Sequence, residues 1–173
     1  QVGGVQMGVI IGNARGSLIA RCQDLEFVGF NHLAQAARDR IGSVGLGGNG
    51  QFTRLRALRQ LGPAPWSDCL TEDLDLSYRA QMKGWRFVYL PDLVAPAELP
   101  VEMNAFKTQQ QRWAKGSVQV CKKLLPRVLA SPLPWREKVE ATFHLTANLA
   151  YPLMVLLAGL MFPAMIMRYN MGL

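Results

Sequence analysis

Four residues in the second half of the chain recur at the spacing of one helix face: Gln109, Arg112, Trp113 and Gly116. Side chains at such spacings lie together on a helix. An Arg guanidinium suits two-pronged binding of phosphate, and a Trp ring offers a flat apolar surface to a sugar. The face therefore predicts a site for a nucleotide-sugar diphosphate or its acceptor. Taken alone, the same residues are better explained by a solvated helix side.

A set of carboxylates, Glu72, Asp73 and Asp75, follows a proline-rich turn at the predicted start of another helix. A carboxylate in such a place can act as a general base that removes a proton from an attacking hydroxyl group. Sugar transfer from a nucleotide diphosphate needs that base, together with positive charge that neutralises the departing diphosphate. Local physics alone favours a simpler interpretation, because acidic residues in a first turn stabilise the helix dipole.

The two sets of residues overlap two sequence motifs, Thr71-Glu72-Asp73 and Gln109-Gln110-Gln111-Arg112-Trp113. The motifs lie about 36 residues apart, with a predicted strand between them. In this order they resemble the paired signatures of family 2 glycosyltransferases of the cellulose-synthase type. Val5-Gln6 is similar to the strand that follows the family's metal-binding aspartates, and Gly47-Gly48-Asn49-Gly50 occupies the place of its acceptor-side glycine loop. The resemblance covers nearly the whole chain, and the pair of motifs is specific where either alone is weak.

The resemblance implies the C-terminal half of a GT-A fold and an inverting transfer that forms β-glycosidic bonds. The implied donor is a nucleoside-diphosphate sugar, usually UDP-linked. Asp73 is then the general base, with Thr71 and Glu72 shaping its turn. The residues implied to bind donor and acceptor are Gln109, Arg112, Trp113, Asn49 and Gly50. The glycine loop departs from the Phe-Cys-Gly-Ser form of cellulose synthases, which argues against glucose and cellulose.

The resemblance also implies Mg²⁺ or Mn²⁺ held by an Asp-x-Asp motif, and no residue of this chain is assigned to that metal. Asp73-Leu74-Asp75 has the spelling of the motif, but it overlaps the implied base and is not assigned as the metal site. We expect the metal ligands, with the nucleotide-binding first half of the domain, upstream in a longer protein. The chain by itself is then expected to be inactive.

Alternating strands and helices predict an α/β domain. The expected elements begin with a strand in residues 2–11. A helix that Ser17 could cap follows over 17–40 and is ended by Gly42, and its apolar residues recur near helical spacing: Leu18, Cys22, Leu25, Val28 and Leu33. A glycine-dense loop covers 43–50. A short helix over 53–61 and a second over 71–83 follow, the latter ended by Gly84. A strand over 85–90 stops at Pro91, and a long helix covers 104–125.

Residues 146–167 contain no charged side chain. These roughly 22 residues reach about 33 Å as a helix, enough to cross a hydrocarbon core of about 30 Å. A buried core helix is the alternative, but Pro152, Gly159 and Pro163 suit a soluble helix poorly. A bilayer span is therefore predicted.

The net charge of +7 is concentrated just before this segment, which predicts a cytoplasmic position for the preceding part at the inner (plasma) membrane. Nucleic acid is not an expected partner, because no basic run is interleaved with exposed aromatics. The three widely spaced cysteines are expected to be reduced thiols of a cytosolic domain. His32 and His144 are expected to be structural or interfacial.

The predicted organisation is the C-terminal part of a GT-A catalytic domain at residues 1–125, an interfacial amphipathic segment at 126–143 and a transmembrane helix region at 144–173. A plain linker explains the middle segment almost as well. The leading hypothesis is a membrane-bound enzyme that extends a polysaccharide processively. One alternative adds a single sugar to a lipid acceptor, and another is a membrane-anchored module that binds an anionic ligand without chemistry.

Overall fold

The computed structural model describes residues 1–172, and its centre is a three-stranded sheet. The strands are β1 (Val2–Ile11), β2 (Gln51–Thr53) and β3 (Arg86–Ala97), with β1 in the middle. β1 pairs with β3 in parallel and with β2 in antiparallel orientation. Because helices separate the strands along the chain, the prediction of a mixed α/β domain is confirmed.

The third strand, β3, continues past Pro91 instead of ending before it. Its pairing with β1 passes from Met7–Leu90 directly to Gly8–Val94, so residues 91–93 bulge out of the ladder. These residues are exposed, and a bulge is one of the few places in a sheet where a proline's missing N–H breaks no hydrogen bond. The prediction that the strand stops at Pro91 was wrong.

The α-helices, in chain order, are α1 (Leu18–Gly29), α2 (Ala36–Ile41), α3 (Leu55–Gln60), α4 (Glu72–Met82), α5 (Met103–Ala130), α6 (Trp135–Thr146) and α7 (Ala150–Asn170). A π-helical turn joins α1 to α2, which confirms the predicted helical stretch. The Ser17 side chain caps it by accepting the backbone N–H of Ala20 at 3.1 Å. Gly42 ends it with a φ of 83°, a left-handed conformation that favours glycine.

The apolar residues that predicted the first helical stretch face outward. Leu18, Leu25 and Leu33 are among the most exposed large side chains before α6. The inward face carries buried Gln23, and the π-helical turn carries buried Gln35. These amides hydrogen-bond to backbone carbonyls elsewhere in the chain, so the buried face of this stretch is partly polar.

Two apolar clusters meet on opposite sides of α4. The first joins α4 to the sheet, α3 and residues 43–50, and it contains Val44, Leu46, Ala57, Leu76, Ala80, Trp85, Phe87 and Tyr89. The second joins α4 to α5 and α6, and it contains Leu74, Tyr78, Val120, Leu124, Val128, Ala141 and Leu145. Because α4 is packed on both sides, the residues at its start are held firmly.

The long helix α5 runs to Ala130, so the prediction that it ends at Leu125 was wrong. Pro126 lies inside it and lacks the N–H that the helix ladder uses. Leu124 and Val128 lie four positions apart on either side of the proline, and both are fully buried in the second cluster. Burial of apolar area beyond Pro126 therefore favours continuation of the helix over its termination.

A buried carboxylate joins α4 to α5. The side chain of Asp75 is fully buried; its Oδ1 lies 2.5 Å from Arg79 Nε and its Oδ2 lies 2.8 Å from Lys123 Nζ. Arg79 also donates to the backbone carbonyl of Pro65. Burial alone raises the pKa of Asp75, but hydrogen bonds and charge from Lys123 and Arg79 outweigh it and hold the pKa below its usual range.

Asp75→Asn is expected to destabilise the protein by about 2–4 kcal/mol at pH 7, because two cations lose their buried partner. The pKa of Asp75 is lower in the folded protein, so its contribution is present above the ordinary Asp pKa and is lost as pH falls through the lowered value. Unfolding of the purified protein at pH 7 and in acid measures this. Asp68→Asn, at an exposed carboxylate, is the control, and equal stabilities at pH 7 would contradict the prediction.

In the C-terminal part, α6, a 3-10 turn (Ala147–Leu149) and α7 follow one another without a break and form the helical stretch Trp135–Asn170. Among residues 1–172 it is the one helix long and apolar enough to cross a membrane. Its apolar portion is α7, whose side chains are all exposed in the described chain. The preceding α6 buries Ala141 and Leu145, while Trp135 and Phe143 are exposed. One face of α6 therefore packs on the domain and the other presents apolar side chains outward.

Candidate active site

The two sequence motifs meet where the start of α4 lies against the middle of α5. A Cβ atom added to Gly116 would lie 2.6 Å from the Cγ2 atom and 2.8 Å from the backbone nitrogen of Thr71. Real Cβ atoms do not approach other atoms so closely, so the contact requires glycine on α5. This approach brings the Asp73 turn beside the helix face that carries Arg112 and Trp113.

A cavity of about 330 Å³, called here the Asp73 cavity, opens at this junction. Its walls include five of the residues singled out in the sequence: Thr71, Glu72, Asp73, Arg112 and Trp113. Arg112 is exposed, and Trp113 packs against Phe27 with ring centroids 6.4 Å apart. The structure therefore gathers a carboxylate, a guanidinium and an aromatic ring around one space.

Asp73 is held at the first turn of α4. Its Oδ1 accepts the backbone N–H of Leu74 at 2.8 Å. Its Oδ2 would lie 3.1 Å from a Cβ atom on Gly48, so the glycine loop passes directly over the carboxylate. Burial raises the pKa of Asp73 above the ordinary 3.8, and the Glu72 charge acts in the same direction. A raised pKa makes the carboxylate a better proton acceptor.

Two of the other three predicted binding residues lie around a smaller second cavity of about 150 Å³. Asn49 and Gln109 line it, and Trp113 borders both cavities. The Oε1 atom of Gln109 is buried and has no hydrogen-bond partner among residues 1–172. Gly50 lies against β1 and β3 instead, where an added Cβ atom would meet Ala95 at 2.9 Å and Met7 at 3.3 Å.

The glycine loop, residues 43–50, is held mainly by side chains. Gln81 donates to the Val44 carbonyl at 2.9 Å, and Gln35 donates to the Gly45 carbonyl at 2.7 Å. Ser77 accepts the Leu46 N–H and donates to the carbonyl of Asp73, both at 2.8 Å. Because Ser77 bonds both to the loop and to the Asp73 backbone, it links the loop position to the carboxylate.

Gln6, on the central strand β1, holds the far end of this loop. Its amide oxygen accepts the Gly47 N–H at 2.8 Å, and its nitrogen donates to the Asn49 carbonyl at 2.7 Å. The side chain is almost fully buried, so these bonds are shielded from water. The resemblance marked Gln6 only as part of a strand, and the structure adds this contact with the loop.

Gln6→Glu is expected to lower sugar-transfer activity by about 10- to 100-fold, because the carboxylate cannot donate to the Asn49 carbonyl and repels it. Initial rates with the full-length protein measure the effect. Gln23→Glu is the matched control, since buried Gln23 also donates to backbone carbonyls but lies outside the loop. Equal losses in both variants would show a general effect on stability and contradict a specific role for Gln6.

His144, on α6, forms another part of the Asp73 cavity wall. Its Nδ1 atom lies 2.9 Å from the hydroxyl of Tyr78, which belongs to α4. Burial lowers the pKa of His144 to about 3, and Arg38 contributes, so the imidazole is neutral at pH 7. The sequence pattern predicted only a structural or interfacial role for His144, because no spacing connects α6 with either motif.

Among residues 1–172, no group of three or more His, Cys, Asp or Glu side chains is arranged to hold a metal ion. Asp73 and Asp75 face different surroundings, since Asp75 is fully buried between two cations. A divalent metal whose ligands lie upstream in a longer protein stays a prediction. Cys22, Cys69 and Cys121 are free thiols, of which Cys22 is exposed.

Comparison of the sequence with known proteins finds related proteins. Two of them are "Probable glucomannan 4-beta-mannosyltransferase 9" from Oryza sativa subsp. japonica, 35% identical over 118 residues, and "Glucomannan 4-beta-mannosyltransferase 7" from Arabidopsis thaliana, 31% identical over 121 residues. The matches cover 67% and 69% of this chain but only 22% and 21% of those proteins. The chain thus corresponds to about a fifth of each relative.

The family profile described as "Glycosyl transferase family group 2" matches residues 1–168. That range contains the glycine loop, both motifs and nearly all of α7. The resemblance to family 2 glycosyltransferases is thereby confirmed, and the chain belongs to glycosyl transferase family group 2.

Proposed function

We propose that this chain is the acceptor-side part of the catalytic domain of a membrane-bound, inverting glycosyltransferase that extends a polysaccharide through β-glycosidic bonds. The observation that carries the proposal is the convergence of Asp73, Arg112 and Trp113 on one cavity. The relatives named as glucomannan 4-beta-mannosyltransferases support a β-linked polysaccharide product. The donor is a nucleoside-diphosphate sugar, with UDP as the first nucleotide to test.

Asp73 acts as the general base. It takes the proton of the acceptor hydroxyl while that oxygen attacks the anomeric carbon from the face opposite the diphosphate. The bond between the anomeric carbon and the diphosphate oxygen breaks, and the electron pair leaves with the diphosphate. The Leu74 N–H on Oδ1 and the glycine loop beside Oδ2 fix the carboxylate for this step.

Arg112 binds the departing diphosphate, and Trp113 binds the acceptor sugar. The exposed Arg112 guanidinium offers paired donors to the diphosphate and stabilises its growing charge. The Trp113 ring, anchored by Phe27 and 37% exposed, leaves a face for the acceptor sugar. Gln109 and Asn49 supply amide groups in the adjoining cavity. A divalent metal held by residues outside this chain neutralises further charge on the diphosphate when bound.

The membrane part of the proposal rests on α6 and α7. The 21 residues of α7 reach about 32 Å as a helix, which matches the hydrocarbon core of a bilayer. The exposed Trp135 and the Arg136 guanidinium, 5.8 Å above its ring, suit the head-group region. The basic residues before α7 favour a cytoplasmic catalytic part at the plasma membrane.

The experiment supplies full-length protein in membranes with labelled nucleotide sugars, including UDP-glucose and a mannosyl donor, and sizes the product. A ladder of lengthening β-linked chains is expected. A lipid that carries a single sugar would instead support the non-processive transferase. Binding of donor without any transfer would support the anion-binding module and overturn the enzymatic proposal.

A further inference from the structure

The imidazole of His144 stands between the domain core and the Asp73 cavity. Its side chain is 21% exposed and lines the cavity beside Gly45 of the glycine loop. The ring reaches this place from α6, which is the helix that leads toward α7. His144 therefore brings a polar group into the cavity from an element that carries neither motif.

Contacts around Glu140, one turn earlier on α6, hold this helix in position. Arg38 Nε lies 2.6 Å from Glu140 Oε1, and Ser43 donates to Glu140 Oε2 at 3.1 Å. Both partners are far from α6 in sequence, and Ser43 begins the glycine loop. The side chains of Arg38 and Glu140 are largely buried, so the position of His144 is set by tertiary contacts.

The two ring nitrogens of His144 differ in what they contact. Nδ1 is bonded to the Tyr78 hydroxyl, as described above. Nε2 has no hydrogen-bond partner among residues 1–172. It is also not among the buried side-chain atoms that lack a partner there, so Nε2 is accessible from the cavity side. A neutral imidazole nitrogen of this kind donates or accepts one hydrogen bond according to tautomer, and a sugar hydroxyl can do either.

We propose that His144 is a substrate-binding residue whose Nε2 hydrogen-bonds a hydroxyl group of the acceptor sugar in the Asp73 cavity. The inference rests on the proposed function. The acceptor is the favoured source of the hydroxyl because the cavity wall combines the neutral His144 ring with the Asp73 carboxylate. Arg38 also lines the cavity, but its charge is paired with Glu140 at 2.6 Å. Those groups suit a hydroxyl, whereas a diphosphate requires positive charge.

Two substitutions distinguish a role of Nε2 in binding the acceptor from a structural role of Nδ1 through its contact with Tyr78. In His144→Gln the amide lies near the position of Nε2, and in His144→Asn it lies near the position of Nδ1. We expect His144→Gln to stay within about 3-fold of wild-type kcat/KM for the acceptor, and His144→Asn to lose about 10- to 50-fold. The loss should appear mainly as a raised acceptor KM, with the donor KM unchanged.

The comparison is made in full-length protein in membranes, with β-1,4-linked mannotetraose or cellotetraose as acceptor. Tyr78→Phe keeps the ring but removes the contact to Nδ1, and it is expected to stay within about 3-fold of wild type. If His144→Asn is active and His144→Gln is not, the residue acts through Tyr78 and the proposal is overturned. A raised donor KM overturns the acceptor assignment.

A second measurement needs no variant. Diethyl pyrocarbonate adds an ethoxycarbonyl group to an unprotonated imidazole nitrogen, and peptide mass spectrometry locates the product. The acceptor oligosaccharide is expected to protect His144 by at least about 5-fold but not the exposed His32. Equal modification of His144 with and without oligosaccharide overturns the proposal. Failure of the proposed function would look different, because wild-type protein would then transfer no sugar.

Discussion

Replacing Asp73 with Asn is expected to lower turnover by about 10²- to 10⁴-fold while donor binding stays largely intact. The amide has the size of the carboxyl group, and its oxygen can still accept the Leu74 N–H. It cannot take a proton from the acceptor hydroxyl. Transfer of labelled sugar by the full-length protein measures turnover, and competition with unlabelled donor measures binding. Unchanged turnover would refute the assignment of Asp73 as the base.

Loss of activity in Asp73→Asn is expected without loss of stability. Because burial raises the pKa of Asp73 in the folded protein, its contribution to stability is full below the unfolded pKa and is lost as pH rises through the folded value. At pH 7 the ionised carboxylate opposes folding, so Asn should leave the melting temperature equal or higher. Asp92→Asn, at an exposed carboxylate on the β3 bulge, should change neither activity nor melting temperature.

The features that sequence predicted well are those that local chemistry determines. Gly42 and Gly84 both adopt a φ of 83° at the predicted helix ends, because a left-handed residue there satisfies the last carbonyls. Ser17 caps the first helix as its hydroxyl predicted. The helical spacing of Arg112 and Trp113 also brought them to one cavity. Each of these depends on residues within one or two turns.

The features that sequence missed depend on contacts between distant residues. The strand predicted to stop at Pro91 continues through pairing with β1, and the helix predicted to end at Leu125 continues through burial of Val128. Gln6 contacts a loop 41 positions away, and His144 contacts Tyr78 across 66 positions. No periodicity records such pairings, because only the folded backbone brings the partners together.

The outward position of Leu18, Leu25 and Leu33 is a case where periodicity indicated the helix but not its buried face. The opposite face buries Gln23 of α1, and Gln35 is buried in the π-helical turn that follows. The amide nitrogen of Gln35 donates to the Gly45 carbonyl of the glycine loop at 2.7 Å. Hydrophobicity alone cannot predict which face of this stretch is buried, because the buried Gln35 amide forms a hydrogen bond that holds the glycine loop.

Gly116→Ala is expected to lower turnover by about 10- to 100-fold, because the added methyl group pushes α5 away from the Asp73 turn. An alanine in a helix interior normally stabilises it by about 1 kcal/mol relative to glycine. Here the Cβ atom would meet both the side chain and the backbone nitrogen of Thr71 below 3 Å, and backbone cannot yield as a side chain does. The displacement separates Arg112 and Trp113 from Asp73.

Gly29→Ala provides the matched control, because Gly29 also lies in a helix and has no atom within 4 Å of an added Cβ. That variant should keep full activity and gain about the stability that helix propensity predicts. The contrast isolates the close approach of α5 to Thr71 from the general effect of alanine in a helix. If both variants were equally active, α5 could move without cost to the reaction, and the two motifs would not need the spacing that Gly116 provides.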